Sequence, residues 1–142
     1  MLLDCASAAQ VDASRGGDHV GSDALASFVT TASTLVAAFR DNGALSRLVH
    51  HPIGDRTGAE LLSMRVLDVA VHTWDLARAL GADEILDPDL VTFALAFTNH
   101  IESGRRGGSF ALPIGTLPTG RSPQHQLLHL TGRQPLITEE TP

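Results

Sequence analysis

Residues 57–81, TGAELLSMRVLDVAVHTWDLARALG, decide the fold, because they carry the signals of one long buried helix. Thr57 followed by Glu60 is a capping box, in which each residue satisfies a backbone N–H at the helix N-terminus. Gly81 follows the last apolar residue, where a helix usually ends on a left-handed glycine. The pattern therefore predicts a helix from about Gly58 to Leu80, roughly 35 Å long at about 1.5 Å per residue.

Four polar residues of this helix share one narrow face: Arg65, Asp68, His72 and Asp75. Their spacings of three, four and three residues place them within about 80° of arc at about 100° per residue. Most of the remaining circumference is apolar, and a helix that is apolar on nearly every side is normally buried. These four residues, called the polar seam below, therefore either face a narrow opening to solvent or face inward and build a polar site.

The polar seam has two interpretations. In the first it is an exposed stripe of ion pairs, Arg65 with Asp68 and Asp75 with Arg78, each contributing roughly 0.3 to 0.5 kcal/mol. In the second, Asp68 and His72 lie one turn apart and bind one divalent cation. A carboxylate oxygen and an imidazole nitrogen suit zinc, manganese, nickel or iron. Two ligands do not complete such a site, since catalytic zinc normally takes three from the protein.

The rest of the chain predicts three further helices. The first has Ser22 as its cap and carries one apolar stripe that extends to Phe39. The second begins at Asp87 and Pro88, a cap followed by proline at the first helical position. The third is short, lies at residues 122–130, and places His125 and His129 one turn apart. We interpret that histidine pair as coincidental, because the glutamate of the zinc-protease motif is absent between them.

These elements predict an all-α fold. Its form is an antiparallel bundle of three main helices and a short C-terminal helix, with a long irregular crossover at residues 103–120. We expect residues 1–21 to be a loose N-terminal leader, 22–135 the helical domain and 136–142 a disordered tail. No run of alternating apolar residues competes with the helices.

Composition narrows the class of protein. The 142 residues are 43% hydrophobic and 18% charged, which is an ordinary globular balance for one domain. A net charge of −6 with scattered basic residues disfavours a nucleic-acid or anionic-membrane surface. Cys5 is the single cysteine, so no intramolecular disulfide forms. With no membrane span and no signal peptide in the sequence, we expect a cytoplasmic protein without nucleic-acid or membrane partners.

The segment RVLDVAVHTWDLARALG resembles the motif helix of the DinB-like metal-binding superfamily. It is most similar to the actinobacterial branch that includes the metal-binding domain of mycothiol-dependent maleylpyruvate isomerase. The segments DHVGSDALASFVTTASTLVAAFRDNGAL, LDPDLVTFAL and LLHLTGRQP also resemble successive segments of the family, in the same order. The resemblance therefore covers about residues 18 to 135 and implies a DinB-like helix bundle.

The resemblance also implies roles for the polar seam. In the family, an acidic residue four positions before a histidine supplies two metal ligands, and the matching positions are Asp68 and His72. The third family ligand is a histidine of an earlier helix that has no counterpart here, since His19 aligns with a later family segment. Arg65 and Asp75 would orient the imidazole or contact a substrate carboxylate. The implied cofactors are a divalent metal, zinc first with nickel, manganese or iron as alternatives, and mycothiol as co-substrate.

Two functions of different classes follow. The first is a metal-binding protein of the mycothiol-dependent isomerase or thiol-transferase type, in which the metal activates a small thiol toward an electrophile. The second is a non-catalytic helical module that has lost the complete metal site. Without one of the family's long helices, apolar surface would be uncovered, and we expect either a homodimer or a chain whose start was drawn too late. The sequence leaves open whether the protein is an enzyme.

Overall fold

The computed structural model describes residues 7–14, 16–51, 54–97 and 110–135. Its elements in chain order are α1 (Ala8–Ser14), α2 (Ala24–Arg40), the 3₁₀ helix η1 (Ala44–Ser46), β1 (Leu48–Val49), β2 (Arg56–Thr57), α3 (Gly58–Leu80), α4 (Pro88–Ala96) and α5 (Pro123–Leu130). The fold is all-α, and the strands of the described ranges form one small antiparallel hairpin. The chain divides into two compact units, Met1–Leu62 and Ser63–Pro142.

Helix α3 has the bounds that its capping signals predict. The Thr57 N–H donates to Glu60 Oε2 at 2.7 Å, and the Glu60 N–H donates to Thr57 Oγ1 at 3.3 Å, which completes the capping box. At the other end Gly81 has φ +64°, and the Ala82 N–H donates to the Ala77 carbonyl at 2.8 Å. This bond closes a Schellman turn. The prediction of one long helix from local signals is confirmed.

The other helix starts also follow side-chain caps. Asp87 caps α4 ahead of Pro88, and Ser122 caps α5, as the sequence predicts. The predicted cap of α2 is wrong by one residue: Asp23, and not Ser22, accepts the hydrogen bond from the backbone N–H of Ala26. A carboxylate is also favoured there by the partial positive charge at a helix N-terminus.

The first unit differs from the sequence expectation in three ways. Helix α1 forms within the segment expected to be a loose leader. The β1–β2 hairpin was not predicted, because strands of two residues are too short to show a periodic pattern. Helix α2 contains no buried residue, and Phe28, which its periodicity predicts to be core, is 67% exposed. Within its unit α2 packs on η1, which is too short to cover an apolar stripe.

The second unit has a hydrophobic core that α3, α4 and α5 build together. Its buried members are Leu67, Val71, Trp74, Leu86, Val91, Ala94, Leu127 and Leu128. The Gln124 side chain ties the connection before α4 to α5, because it accepts from the Leu86 N–H at 2.9 Å and donates to the Glu84 carbonyl at 2.8 Å. The shared core joins α3, and the polar seam with it, to α4 and α5.

Some sequence expectations fall on residues outside the described ranges. These are the first part of the crossover, up to residue 109, and the tail at 136–142. From residue 110 to Ser122 the crossover has no helix or strand, as expected. None of the helices in the described ranges combines the length and the apolar character that a membrane-spanning helix needs.

We predict that Gly132→Ala lowers the free energy of unfolding more than Gly115→Ala does. Both glycines have a positive φ, +79° and +70°, so alanine adds left-handed strain of about 1 to 2 kcal/mol at either position. Only at Gly132 would the new Cβ meet a neighbour, 2.8 Å from the Ala111 carbonyl oxygen, and such overlap costs about 1 to 3 kcal/mol more. Urea unfolding of both variants beside the wild type measures the difference. Equal losses would contradict the contact.

Candidate metal centre

The polar seam lies on α3 in the second unit, and its first predicted ion pair is present. Arg65 Nη1 donates to Asp68 Oδ2 at 3.2 Å. The seam is open to solvent, since the side chain of Asp68 is 40% exposed and that of His72 is 61% exposed. The Arg65 guanidinium therefore contacts one oxygen of Asp68, and the second oxygen remains for another partner.

The second predicted pair is wrong, because Asp75 binds Arg133 and not Arg78. Arg133 Nε donates to Asp75 Oδ1 at 3.1 Å, and Nη2 donates to Oδ2 at 2.7 Å. This two-bond geometry matches the guanidinium fork to the carboxylate, which a single contact within one helix does not achieve. Arg78 instead donates to Glu84 Oε2 at 3.4 Å and lies over the Trp74 ring, 5.1 Å from its centroid.

The Arg133 contact favours the ionised form of Asp75. Hydrogen bonds from the guanidinium lower the pKa of the Asp75 carboxyl, and a hydrogen bond with His72 acts in the same direction. Partial burial raises this pKa but is the smaller effect. Asp75 is therefore a carboxylate, and an acceptor only, throughout the neutral pH range.

That carboxylate orients the imidazole of His72. His72 Nδ1 lies 3.0 Å from Asp75 Oδ2, and because the carboxylate can only accept, Nδ1 carries the proton. In the neutral ring the lone pair then lies on Nε2. Nε2 is 3.5 Å from Asp68 Oδ1. The arrangement is the one that metal-binding histidines use, with one nitrogen held by a carboxylate and the other free to coordinate.

The spacing of these two acceptors fits a shared cation. Two ligands at about 2.1 Å from a tetrahedral ion are about 3.4 Å apart. The observed 3.5 Å between His72 Nε2 and Asp68 Oδ1 is close to that value. Two lone pairs that face each other repel, so a cation between them, either a second imidazole proton or a divalent metal, stabilises the pair. His72 Nε2 and Asp68 Oδ1 therefore fit two of the ligand positions around one divalent metal ion.

The described residues do not extend this pair to a full protein ligand set. Among them, no group of three or more histidine, cysteine, aspartate or glutamate side chains is placed to hold a metal ion. A further histidine–carboxylate contact, His50 Nδ1 to Asp55 Oδ1 at 2.8 Å, belongs to the first unit. The structure thus brings together Asp68, His72 and Asp75, with Arg65 on the far oxygen of Asp68.

Arg133 is the functional residue that sequence reasoning missed. It stands 58 positions after Asp75, and no local pattern joins the two. The available signal was its place directly after the α5 stop at Gly132, in the segment LLHLTGRQP that resembles the family. A basic residue just past a helix stop is common enough that the signal did not identify a partner.

Comparison with known proteins finds mycobacterial relatives. The chain is 33% identical over 97 residues to the uncharacterized protein Rv0738 of Mycobacterium tuberculosis strain H37Rv, and equally to the uncharacterized protein MT0763 of strain CDC 1551 / Oshkosh. The matched region is 67% of this chain and 53% of each relative, so the chain spans about half the length of these curated relatives. No protein-family model matches the chain, and no solved structure matches it significantly.

We predict that Asp75 and Arg133 are energetically coupled. Asp75→Asn and Arg133→Gln each remove the charged pair, so the double variant should lose less stability than the two single losses added together. The expected coupling is about 1 kcal/mol for a partly exposed, charge-assisted pair. Urea unfolding of the four proteins at neutral pH measures it, and additive losses would show that the contact contributes nothing.

We also predict that acid removes the contribution of Asp75. Because its pKa is lower in the folded than in the unfolded state, its stabilisation is present above the unfolded value of about 4 and is lost as the pH falls through the folded value. The difference in unfolding free energy between the wild type and Asp75→Asn should therefore shrink steadily below about pH 4. Urea titrations in steps from neutral pH to acid measure this; a constant difference would contradict it.

Proposed function

We propose that this chain is a divalent-metal-binding protein of the DinB-like superfamily, in the branch of the mycothiol-dependent isomerases and thiol transferases. Asp68 and His72 are its metal ligands from α3. The chemistry that a bound divalent ion supplies is a lowered thiol pKa, so that a small thiol reacts as its thiolate near neutral pH. Zinc is the first choice of metal, with nickel, manganese or iron as alternatives.

One observation carries the proposal: His72 Nε2 and Asp68 Oδ1 face each other at 3.5 Å while Nδ1 is held by Asp75. A stripe of ion pairs would place a second imidazole proton on Nε2, where the proposal places a metal ion, and the metal titration below distinguishes the two. The mycobacterial relatives agree with an actinobacterial protein, and mycothiol is the thiol co-substrate that the resemblance implies. The electrophilic substrate would be a small molecule that reacts with the thiol at the polar seam.

Each seam residue has a definite task in this proposal. Asp68 supplies an oxygen ligand, and Arg65 fixes its carboxylate through the second oxygen. His72 supplies the nitrogen ligand, and Asp75 keeps its proton on Nδ1. Arg133 holds the Asp75 carboxylate in place and lowers its pKa. The positive charge of Arg65 beside the ligands would also attract an anionic substrate or thiolate.

Metal binding to the purified protein tests the assignment. We expect zinc titrated by calorimetry at neutral pH to bind the wild type at least tenfold more tightly than the double variant Asp68→Ala/His72→Ala. Asp75→Asn should weaken binding by about 10- to 100-fold, because the partner that orients a ligand is lost. With cobalt in place of zinc, a low-molecular-weight thiol should add a sulfur-to-metal charge-transfer band.

The matched control is His50→Ala/Asp55→Ala, which removes a histidine–carboxylate contact of similar length outside the seam. It should bind zinc as the wild type does, and circular dichroism should show that both double variants keep their helices. Equal zinc affinity in the wild type and the seam variant, or no zinc binding to the wild type, would end the metal assignment.

A second candidate function is a non-catalytic helical module that forms a homodimer. It is favoured by the exposed apolar side chains of α2, where Leu25 is 73%, Phe28 67% and Val29 53% exposed. Contiguous apolar surface of this kind is commonly covered by association. A second copy of the chain is the partner that this candidate names.

Light scattering tests the homodimer. We expect a mass of twice 15.0 kDa for the wild type and a shift toward the monomer for Phe28→Glu, which places a charge on the apolar face. Thr30→Glu, about 160° away around α2 from Phe28, is the matched control and should leave the mass unchanged. A wild type that remains monomeric at all concentrations would contradict this candidate.

A further inference from the structure

The second unit contains a cleft of about 420 Å³, a size typical of small-molecule sites. It lies against the C-terminal part of α3, the crossover after residue 113, α5 and the residues that follow α5. Its charged and imidazole lining is Arg78, Arg121, His125, His129 and Arg133. No aspartate or glutamate is among the described residues that line it. In a chain with a net charge of −6, such a cluster of basic groups needs an explanation.

The three arginines of the cleft are not equivalent. Arg133 is bound by Asp75 through two hydrogen bonds, and Arg78 contacts Glu84, so much of their charge is balanced. Arg121 forms no ion pair with any residue of the described ranges. Among the described residues, the guanidinium of Arg121 is therefore the one in the cleft without a counter-charge, and we expect it to be the strongest donor to an incoming ligand.

His125 is held with a ring nitrogen available to a ligand. The Ser122 hydroxyl oxygen accepts from the backbone N–H of His125 at 3.3 Å and lies 2.7 Å from Nδ1. When the hydroxyl donates its own proton to Nδ1, the imidazole proton lies on Nε2. Nε2–H is then a hydrogen-bond donor for an acceptor in the cleft. The N-cap residue of α5 therefore holds the ring through Nδ1 and leaves Nε2 for a ligand.

The pairing of His125 with His129, one turn apart on α5, fits an anion better than a cation. A metal there would share the cleft with the Arg121 guanidinium, whose charge no described residue balances and which repels a cation. The described residues also offer no third ligand that would form a metal group with this pair. The interpretation of the pair as coincidental does not account for its place in a basic cleft, whereas an anionic ligand does.

The remaining wall of the cleft is largely apolar. It is formed by Ile114, Leu117, Pro118 and Pro135, with Thr116 and Gln134 beside them. An inorganic anion would leave this apolar surface exposed to water. An anion with a short hydrocarbon body would bury it, at a gain of roughly 25 cal/mol for each Å² of apolar area covered.

We propose that this cleft binds a small organic anion, a carboxylate or phosphate ester with a short apolar body. Arg121 is its charge partner, His125 and His129 are further donors, and the apolar wall holds the body. Guanidinium groups bind both kinds of head by two parallel hydrogen bonds. The proposal does not rest on the metal function, since it uses neither Asp68 nor His72.

The single tryptophan, Trp74, reports on the cleft, because Arg78 both lines it and lies over the indole ring. Metal-free protein is titrated with hexanoate, phenyl phosphate, inorganic phosphate and hexylammonium while tryptophan emission is followed. We expect saturable binding of hexanoate or phenyl phosphate, with the better of the two identifying the head group. Inorganic phosphate should bind at least threefold more weakly than the better probe, and hexylammonium should not bind.

Variants separate the cleft from general surface charge. Arg121→Gln should weaken binding of the better probe at least tenfold, and His129→Gln should weaken it measurably. Arg40→Gln, at the end of α2 and outside the cleft, should bind as the wild type does. The proposal is overturned if neither organic anion binds saturably, or if Arg121→Gln and Arg40→Gln bind alike. Because the protein is metal-free, either result leaves the zinc titrations unaffected.

Discussion

The two hydrogen bonds between Arg133 and Asp75 join the end of α5 to the polar seam on α3, and the chemistry proposed for the seam depends on them. The guanidinium holds the Asp75 carboxylate in place and lowers its pKa. The carboxylate fixes a proton of His72 on Nδ1 and leaves Nε2 facing Asp68 Oδ1. Without Arg133, the imidazole could turn or change tautomer, and Asp68 and His72 would be two ordinary polar residues on an exposed face.

This contact is held in place by the core beneath it and not by its own strength. Leu127 and Leu128 are fully buried in the core that α3, α4 and α5 share, which fixes the axis of α5. The left-handed Gly132 then turns the chain back, and the Arg133 N–H donates to the Leu128 carbonyl at 2.8 Å. Arg133 Nη1 donates to the Thr131 carbonyl at 2.7 Å. An arginine positioned this way loses little freedom when it binds Asp75, which distinguishes it from a typical surface ion pair.

The sequence predicts interactions between residues that are close in the chain, and it does not predict those between distant residues. The bounds of α3 and the caps of α4 and α5 depend on residues a few positions apart, so local patterns predict them correctly. The partner of Asp75 lies 58 residues away, and the nearer Arg78 was predicted in its place. The i,i+4 spacing predicted the facing of Asp68 and His72, because helix geometry alone produces it. The lack of burial in α2 was not predictable from its amphipathic pattern, which shows that a face is apolar but not what covers it.

The hydrogen bonds of Arg133 explain why the cleft needs Arg121 as a separate charge partner for its ligand. Arg133 lies in the cleft wall, but three of its N–H groups already bind the Asp75 carboxylate and the Thr131 carbonyl. An anion that took these donors would leave Asp75 without its counter-charge and would release His72. A ligand bound through Arg121 leaves that network intact, because the Arg121 side chain has no ion pair to break in the described ranges. The seam concentrates carboxylates around a histidine and suits a cation, whereas the cleft concentrates guanidinium and imidazole groups and suits an anion. Arg133 contacts both regions, because it binds the Asp75 carboxylate of the seam and also lines the basic cleft.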